Sequence, residues 1–414
     1  MFNRVAITGM GLLSPIGNNL TEFWDNLITG KSGIGPTTKC DVSDMTSKIS
    51  GEVKNFDPLD FMDKKESRRV DLSQQYAIAA ADMAYKNSGL KEGEFDANRA
   101  GVVIGSGIGG IITFEIQHAL VVNEKAGRVS PFFIPMMIAD MAAGVVSIRL
   151  GLKGPNYASV SACASGANAI GDAYQIIQRG AADIMLTGGT EASITRTAVA
   201  GFCNSKALST RNDDPIHASR PFDKDRDGFI MAEGSGILVL ENYEHAVKRG
   251  AHIYAEMIGL GMSGDAYHIT APHPDGDGAA RAMQAAINEA GIAKEDINYI
   301  NTHGTSTGLG DIAESIAIKR VFGDYAYKIP CNSSKSMFGH LLGATGAVEL
   351  IACSLQIQNK KIHQTVNHEQ PDEKCDLYYV HDGPKDWEIN YLLSNSFGFG
   401  GHNVSILLKN TQID

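Results

Sequence analysis

The feature that most constrains the fold is an alternation of strand-like and helix-like segments that restarts beyond the middle of the chain. Apolar runs bounded by glycine are typical of strands, and residues 73–89 have the alanine-rich spacing of a helix. Residues 254–261 weakly repeat the pattern of residues 4–11, with glycines at matching positions. Such alternation predicts an α/β fold with mostly parallel sheets. The repeat predicts two duplicated halves, residues 1–250 and 251–414, that pack as one body.

The predicted strands are short apolar segments. They are residues 5–9, 100–105, 158–162, 184–188, 237–241, 298–301 and 329–332.

Composition and charge narrow the class of protein. The 414 residues are 43% hydrophobic and 20% charged, and the net charge of −11 argues against general nucleic-acid binding. The six cysteines form no CxxC pair and no zinc-ligand spacing, as is typical of a reducing compartment. The sequence shows neither a signal-peptide pattern nor a run of about 18 apolar residues. We therefore expect a cytoplasmic protein that binds neither membrane nor nucleic acid.

One cysteine lies in a run of small residues where a predicted strand meets a predicted helix. Cys163 follows strand-like residues 156–160 and precedes an amphipathic segment that closes at Gly180. The free N–H groups of a helix N-terminus favour a thiolate, and small neighbours leave room for a substrate. The alternative is a small buried cysteine that packs as a hydrophobic residue. Position alone does not decide between these two interpretations.

Two histidines occur in similar settings rich in Gly, Ser and Thr. His303 and His340 each follow a predicted strand, and ligands in open α/β sheets bind at the carboxyl ends of strands. We therefore expect both to converge on Cys163. Residues 395–403 surround two aromatic residues with glycine, which predicts a mobile gate. One thiol with two imidazole donors favours acyl transfer and enolate stabilisation over papain-type proteolysis.

Two further motifs suggest other functions. Residues 105–110 match GxGxxG after a strand, but no clear strand carries an acidic residue about 20 positions later, as a dinucleotide site requires. Residues 223–228 begin like a calcium-binding loop, but the twelfth position is Gly234 instead of glutamate. We interpret the first as a turn that lets the backbone approach a substrate, and the second as a charge-rich turn.

Taken together, the motifs resemble those of the thiolase-fold condensing enzymes, specifically the β-ketoacyl-[acyl-carrier-protein] synthases of fatty-acid synthesis. The matching segments are residues 154–170, 220–228, 303–307, 335–340 and 398–401. The resemblance extends over residues 5–408, and residues 105–110 and 265–270 are similar to the synthase II subtype. The pair of histidines differs from the His and Asn of the initiating synthases.

The resemblance implies a fold, an activity and a catalytic set. The fold would be a duplicated βαβαβ core in five αβαβα layers, working as a homodimer with acyl carrier protein as its partner and without a cofactor. Cys163 would carry the acyl chain, with its carbonyl oxygen held by the N–H groups of Cys163 and Phe399. His303 and His340 would stabilise the enolate formed from malonyl-carrier protein, and Lys335 would support them electrostatically.

The resemblance also implies roles for residues outside the catalytic set. Two residues would line the acyl pocket, and three would contact the phosphopantetheine arm: Ile108 and Phe133, then Thr270, Thr305 and Thr307. Basic residues would dock the carrier protein: Lys64, Lys65, Arg68, Arg69, Lys125, Arg128 and Lys206. A structural monovalent cation would lie among four side chains: Asn301, Glu349, Ser394 and Asn395.

The sequence departs from the family pattern at two places. His402 stands where the family usually has threonine, and residues 308–310 replace a turn that typically contains Pro or Ala. Neither departure removes a catalytic group. Three other functions remain as alternatives: a polyketide-type ketosynthase with the same site, a non-catalytic subunit that holds chains, and a dinucleotide-binding dehydrogenase. The second alternative would lack the nucleophile.

Overall fold

The computed structural model describes residues 2–412. Its strands are β1 (Val5–Leu13), β2 (Ile34–Pro36), β3 (Ile49–Gly51), β4 (Ala100–Gly105), β5 (Asn156–Tyr157), β6 (Ile184–Glu191), β7 (Gly234–Asn242), β8 (Ala255–Gly264), β9 (Tyr299–Asn301), β10 (Cys331–Asn332), β11 (Lys361–Ile362), β12 (Lys385–Asp386), β13 (Tyr391–Gly398) and β14 (His402–Lys409). Its helices are α1 (Leu20–Thr29), α2 (Lys64–Ser67), α3 (Leu72–Asn87), α4 (Ile111–Val122), α5 (Phe133–Met137), α6 (Met141–Leu150), α7 (Ser165–Gln178), α8 (Arg196–Asn204), α9 (Tyr243–Lys248), α10 (Asp277–Ala290), α11 (Gly308–Phe322), α12 (Lys335–Phe338) and α13 (Thr345–Asn359).

The main sheet repeats one five-strand pattern. Within residues 2–412 its order is β10-β9-β13-β14-β8-β1-β7-β6-β4-β5. From the centre outward, β1-β7-β6-β4-β5 and β8-β14-β13-β9-β10 have the same sequence of parallel and antiparallel pairs. The two sets join only where residues 5–7 pair with residues 255–257. The duplicated α/β architecture is therefore confirmed, while the division at residue 250 stays a prediction.

The expectation of mostly parallel sheets is wrong. β4 is parallel to β5 and β6, and β9 is parallel to β10 and β13, but the other neighbouring pairs are antiparallel. A tight turn joins β13 to β14 and makes this pair antiparallel. Parallel neighbouring strands would require a longer crossover connection. The β6–β7 pair has the corresponding direction in the first half.

Helices and half-sheets stack in five layers. α7 and α13 lie between the half-sheets, and α13 is buried throughout residues 345–357. α3 and α6 cover the outer face of the first half-sheet, and α10 and α11 cover that of the second. A helix without a polar face requires apolar partners on all sides, and α13 finds them because both half-sheets pack on it. This central layer brings the beginnings of α7 and α13 together.

The segment before Cys163 differs most from its prediction. The predicted strand over residues 158–162 is wrong, because β5 ends at Tyr157 and residues 162–164 form a 3-10 turn. The N–H of Ser161 donates to Ser165 Oγ at 2.9 Å, and Ala162 has a φ of 51°. These two features turn the chain instead of extending it. The other predicted strands correspond to observed ones, with ends that differ by up to four residues.

The two misleading motifs have structural roles. In the glycine-rich loop, the N–H groups of Gly107 and Ile108 donate to Glu191. After α4 come the 3-10 turn Ala126–Arg128 and α5, where a dinucleotide fold would have a further strand. Asp223 accepts the N–H groups of Glu369 and Gln370, both at 2.7 Å. Its carboxylate is therefore used within the protein. Within residues 2–412, no helix is long and apolar enough to cross a membrane.

Candidate active site

A strained turn presents Cys163. This residue is the middle of the 3-10 turn Ala162–Ala164, which leads directly into α7. Ala162 has a left-handed backbone, which costs a non-glycine residue on the order of 1 kcal/mol. Ser165 Oγ offsets this cost by donating to the carbonyl of Ala162 at 2.7 Å. The turn places the sulfur at the N-terminal end of a buried helix.

The cysteine and both predicted histidines line one cavity. Cys163, His303 and His340 surround a volume of about 120 Å³, and Phe399 lies in its wall. The ring centres of the two imidazoles are 5.4 Å apart, with their planes at 84°. The structure thus brings together side chains that are separated by up to 177 residues in the sequence. The expected convergence of the three side chains is observed, although Cys163 lies in a turn beyond the end of β5 instead of directly at a strand end.

The thiol of Cys163 is neutral in the resting site. Burial raises its pKa to about 11, although the positive charge of Lys335 and the N–H of Phe399 both lower that pKa. Burial therefore opposes the thiolate that the N–H groups at the helix N-terminus favour. The N–H of Cys163 also acts on the sulfur. Two backbone N–H groups, those of Cys163 and Phe399, therefore lie close to the sulfur.

Both imidazoles are neutral as well. Burial lowers the pKa of His303 and of His340 well below the usual range, and the charge of Lys335 lowers both further. Nδ1 of His340 lies 2.9 Å from Thr345 Oγ1. A hydroxyl that donates to Nδ1 leaves the proton on Nε2, which is buried and has no partner within the described chain. His340 can therefore donate this proton to a ligand oxygen.

Lys335 is buried and anchors the second half of the site. Its Nζ donates to Glu349 Oε1 at 2.6 Å and to the carbonyl of His303 at 2.5 Å. The ion pair joins α12 to α13, and the second bond fixes the backbone that carries His303. A solvated surface lysine is excluded, because the Lys335 side chain is only 1% exposed.

Sequence reasoning missed two buried carboxylates at the site. Glu314 accepts the N–H groups of His303 and Gly304, both at 2.8 Å, and burial raises its pKa to about 7. Glu191, at the end of β6, accepts N–H groups from two loops beside Cys163. Neither glutamate belongs to a motif that was singled out. Only the folded backbone shows that each one binds the loops of the site.

The side chains predicted to bind a cation come together only in part. Asn301 Nδ2 donates to Ser394 Oγ at 3.1 Å, and Glu349 hydrogen-bonds with the same amide group. Asn301 Oδ1 and Glu349 Oε2 are buried without a partner in residues 2–412, and such oxygens suit a hard cation. The side chain of Asn395 instead contacts Glu314 and Ser405. The structural cation stays a prediction, with three side-chain candidates instead of four.

The residues predicted for the substrate fall into two sets. Thr270, Thr305 and Thr307 line the cavity, as a phosphopantetheine arm would require. Ile108 and Phe133 lie outside the walls of this cavity. Ile108 is 38% exposed, and the Phe133 ring packs against Phe114 at 6.5 Å. Their role in an acyl pocket therefore stays a prediction.

The basic residues predicted to dock a partner are exposed in more than one place. The exposed side chains are Lys64, Lys65, Arg68, Arg69, Lys125, Arg128 and Lys206. The guanidinium of Arg69 lies 4.7 Å from the ring centre of Phe132, next to α5. Lys206 lies at the mouth of the catalytic cavity, beside Thr270 and Thr307. Both locations are free to meet an acidic surface.

Comparison with known proteins identifies the family. The model described as "Beta-ketoacyl synthase, N-terminal domain" matches residues 2–246, and "Beta-ketoacyl synthase, C-terminal domain" matches residues 254–369. The chain is 51% identical to "3-oxoacyl-[acyl-carrier-protein] synthase 2" of Synechocystis sp. (strain ATCC 27184 / PCC 6803 / Kazusa), over 99% of this chain and 98% of that relative. It is 54% identical to the protein of the same name from Staphylococcus aureus (strain COL), over 98% of each chain.

Solved structures agree with this family. One is "AntDE:AntF (apo): type II PKS acyl-carrier protein in complex with its ketosynthase bound to the hexaketide", with a TM-score of 0.92, 35% identity and coverage of 99% of this chain and 100% of that chain. Another is "The ishigamide ketosynthase/chain length factor", with a TM-score of 0.93, 34% identity and the same coverage. The predicted thiolase-like fold is confirmed. The chain belongs to the β-ketoacyl synthase family and is a condensing enzyme, an acyltransferase that forms carbon–carbon bonds.

Proposed function

We propose that the chain elongates acyl groups on acyl carrier protein by decarboxylative condensation with malonyl-carrier protein, in fatty-acid synthesis. The observation that carries this proposal is one thiol facing two neutral imidazoles in a single cavity. The identity of 51–54% to the two proteins named 3-oxoacyl-[acyl-carrier-protein] synthase 2, against 34–35% to the two ketosynthase structures, supports a fatty-acid substrate over a polyketide one.

The first step transfers the acyl group to Cys163. The sulfur attacks the thioester carbonyl, the bond between that carbon and the pantetheine sulfur breaks, and the thiol proton passes to the leaving sulfur. The N–H groups of Cys163 and Phe399 stabilise the oxyanion of the tetrahedral intermediate. Each such donor is worth about 3–4 kcal/mol. Because the resting thiol is neutral, the proton leaves as the substrate arrives.

The second step breaks the bond between the malonyl C2 carbon and its carboxylate. CO₂ leaves, and its bonding electrons form an enolate whose oxygen accepts hydrogen bonds from His303 and His340. Neutral imidazoles suit this task, because an imidazolium would protonate the carbanion and end the reaction. The lowered pKa of both histidines supports this assignment.

The third step joins the two carbon chains. The enolate carbon attacks the Cys163 thioester, the carbon–sulfur bond breaks, and the thiolate takes up a proton from solvent. The product is a β-ketoacyl group two carbons longer. No step transfers electrons to or from an external acceptor, so we propose that the reaction needs no redox cofactor. All six cysteines are free, which suits the reducing cytoplasm where we place the activity.

The experiment that tests the proposal is intact-mass spectrometry. Mixing the protein with myristoyl-carrier protein should give one acyl adduct at Cys163, and malonyl-carrier protein should then remove it as a β-ketoacyl product. C163A should give no adduct and no product, while its circular dichroism spectrum stays unchanged because alanine fits the turn.

The matched control is C203A, since Cys203 is half-buried in a different cleft. This variant should form adduct and product normally. Elongation by C163A would contradict the assignment of the nucleophile. An adduct that persists after malonyl-carrier protein is added would contradict the assigned extender.

We expect the two half-reactions to respond differently to loss of one imidazole. H303A should slow release of CO₂ from malonyl-carrier protein by about 10²–10³-fold, the usual cost of one oxyanion donor. Acylation of Cys163 should change by less than about tenfold, because its oxyanion relies on backbone donors. The measurements are labelled CO₂ release and burst-phase acylation. H381A, which alters an exposed histidine outside the cavity, should match the wild type. Equal losses in both half-reactions would refute this division of roles.

We propose that exposed basic residues dock the acidic carrier protein. Lys65 and Arg68 lie on and after α2 and are exposed, although the whole chain is acidic. Complementary charge accelerates encounter and is screened by salt. Lys206 lies at the cavity mouth and is suited to orient the bound partner.

Reversal of this charge should weaken the apparent affinity for carrier-bound substrate. K65E/R68E should raise KM by about tenfold, a shift typical of lost charge pairs at an interface rim, and should flatten the salt dependence of kcat/KM. K248E provides a control, because Lys248 is exposed on α9 and outside the proposed patch. A KM that stays unchanged in K65E/R68E would place the docking surface elsewhere.

We further propose that the protein is a homodimer. Exposed apolar side chains are concentrated on neighbouring elements between α4 and the segment after β5: Phe114, Ile116, Val121, Val122, Ile134, Ile138, Ile148, Tyr157 and Val160. β5 is also the outer strand of the main sheet, so its free edge can pair with another strand. A second copy of this chain would cover both the apolar face and the edge.

The dimer should depend on this face. Ile148 is 79% exposed on α6, and I148E should shift the mass measured by light scattering from that of a dimer to that of a monomer. V247E changes a residue that is 54% exposed on α9, and it should leave the dimer intact. A monomeric wild type, or dissociation by V247E alone, would contradict the proposed interface.

A further inference from the structure

Glu191 is a buried carboxylate behind the nucleophile that receives five hydrogen bonds. It ends β6 and has no solvent exposure. Oε2 accepts the N–H of Gly107 at 2.8 Å and of Gly343 at 3.1 Å. Oε1 accepts the N–H of Ile108 at 3.3 Å and the hydroxyls of Ser193 and Ser106 at 2.9 and 3.3 Å.

These donors come from both halves of the protein. Gly107 and Ile108 belong to the glycine-rich loop after β4, while Gly343 lies in the 3-10 turn Leu342–Ala344 that leads into α13. The backbones meet so closely that a Cβ on Gly343 would lie 2.3 Å from the amide nitrogen of Gly107. His340 lies three residues before Gly343. The carboxylate therefore joins the loop of Ile108 to the turn that follows a catalytic histidine.

The turn at Gly343 is the counterpart of the turn at Cys163. Each is a three-residue 3-10 turn before a central helix, and each begins with a left-handed residue, Ala162 at φ 51° and Leu342 at φ 48°. In the first half, the middle residue of the turn is the nucleophile. In the second half it is a glycine whose N–H binds Glu191. The carboxylate thus lies between two similar turns.

The charge of Glu191 has no ionic partner. No Lys, Arg or His side chain forms an ion pair with it in residues 2–412, and all five donors are neutral. Hydrogen bonds from N–H and hydroxyl groups favour the ionised carboxylate, although burial raises its pKa. The negative charge acts on the neighbouring sulfur and raises the pKa of Cys163.

We propose that Glu191 is a positioning residue of the condensation: its carboxylate fastens the Ile108 loop to the His340 turn, and its negative charge adds to burial in disfavouring the thiolate of Cys163. The first part rests on the proposed function, since it concerns how an acyl chain and the histidines are placed together. The second part concerns the thiol alone, so it can be tested without any carrier protein.

Two variants test the negative charge of Glu191 and the length of its side chain separately. E191Q keeps the length of the side chain and removes its charge, whereas E191D keeps the charge and cannot span both loops. E233Q is the matched control, because Glu233 is equally buried but pairs with Lys39, outside the catalytic cavity. Circular dichroism and thermal unfolding establish that each variant folds.

The effect of the Glu191 charge on the Cys163 thiol is tested by alkylation with iodoacetamide at a series of pH values. Intact-mass spectrometry measures the extent of alkylation. The other charged or titratable groups around the catalytic cavity are Lys335, Asp265, His273, His303, Glu314 and His340, and all variants retain them. E191Q should lower the midpoint of alkylation by about 0.5–1 pH unit, as expected for loss of one nearby negative charge. E191D and E233Q should keep the wild-type midpoint. A folded E191Q with an unchanged midpoint, or an equal shift in E233Q, would overturn the electrostatic part.

The role of the side-chain length of Glu191 is tested by measuring the rates at which octanoyl and myristoyl primers are elongated. E191D cannot span both loops, and E191Q replaces one of the two accepting oxygens by an NH2 group that cannot accept a backbone N–H. Both variants should therefore lower kcat by about tenfold or more and change the ratio of rates for the two primers, because misplaced loops alter near-attack geometry. E233Q should leave that ratio unchanged. An unchanged ratio in E191D would overturn the positioning part, and E191D carries this test if E191Q does not fold. If the wild-type protein showed no condensation activity, the proposed function would be refuted. The pH profile of alkylation would still test the electrostatic effect of Glu191 on Cys163.

Discussion

The buried ion pair between Lys335 and Glu349 is the interaction on which the chemistry of this protein depends. A buried charge requires a partner, and Glu349 on the central helix α13 supplies one to Lys335. The ammonium group then has a second task, since its hydrogen bond to the carbonyl of His303 fixes that loop. Its positive charge also disfavours protonation of both imidazoles. This contact thereby adds to burial in keeping both catalytic imidazoles neutral.

Duplication of the fold supplies a site that neither half contains. The first half contributes the thiol just before α7, and the second contributes His303 after β9 and His340 between α12 and α13. The corresponding turns have diverged, so that one carries Cys163 and the other a glycine that packs against the first half. The close packing of the two central helices is therefore a condition for catalysis as well as for stability.

The sequence was sufficient to predict the duplicated α/β fold and the meeting of Cys163 with His303 and His340. Motifs in glycine-rich settings carried that information, because strand ends converge in this class of fold. The direction of strand pairs was not predictable, since the long connection with a helix between β6 and β7 looks like a crossover in sequence but joins antiparallel strands. Glu191 and Glu314 escaped notice because their partners are backbone N–H groups. Protonation of Cys163 depends on burial, which no motif specifies.

The neutral thiol of Cys163 has a consequence for selectivity among reactive compounds. A thiol with a pKa of about 11 is a poor nucleophile at neutral pH, so peroxide and small electrophiles react with it slowly. A compound that occupies the cavity and aims an oxygen at the two backbone donors lowers the barrier for its own attack. The resting enzyme is thus shielded from oxidative damage and remains open to inhibitors shaped like its substrate.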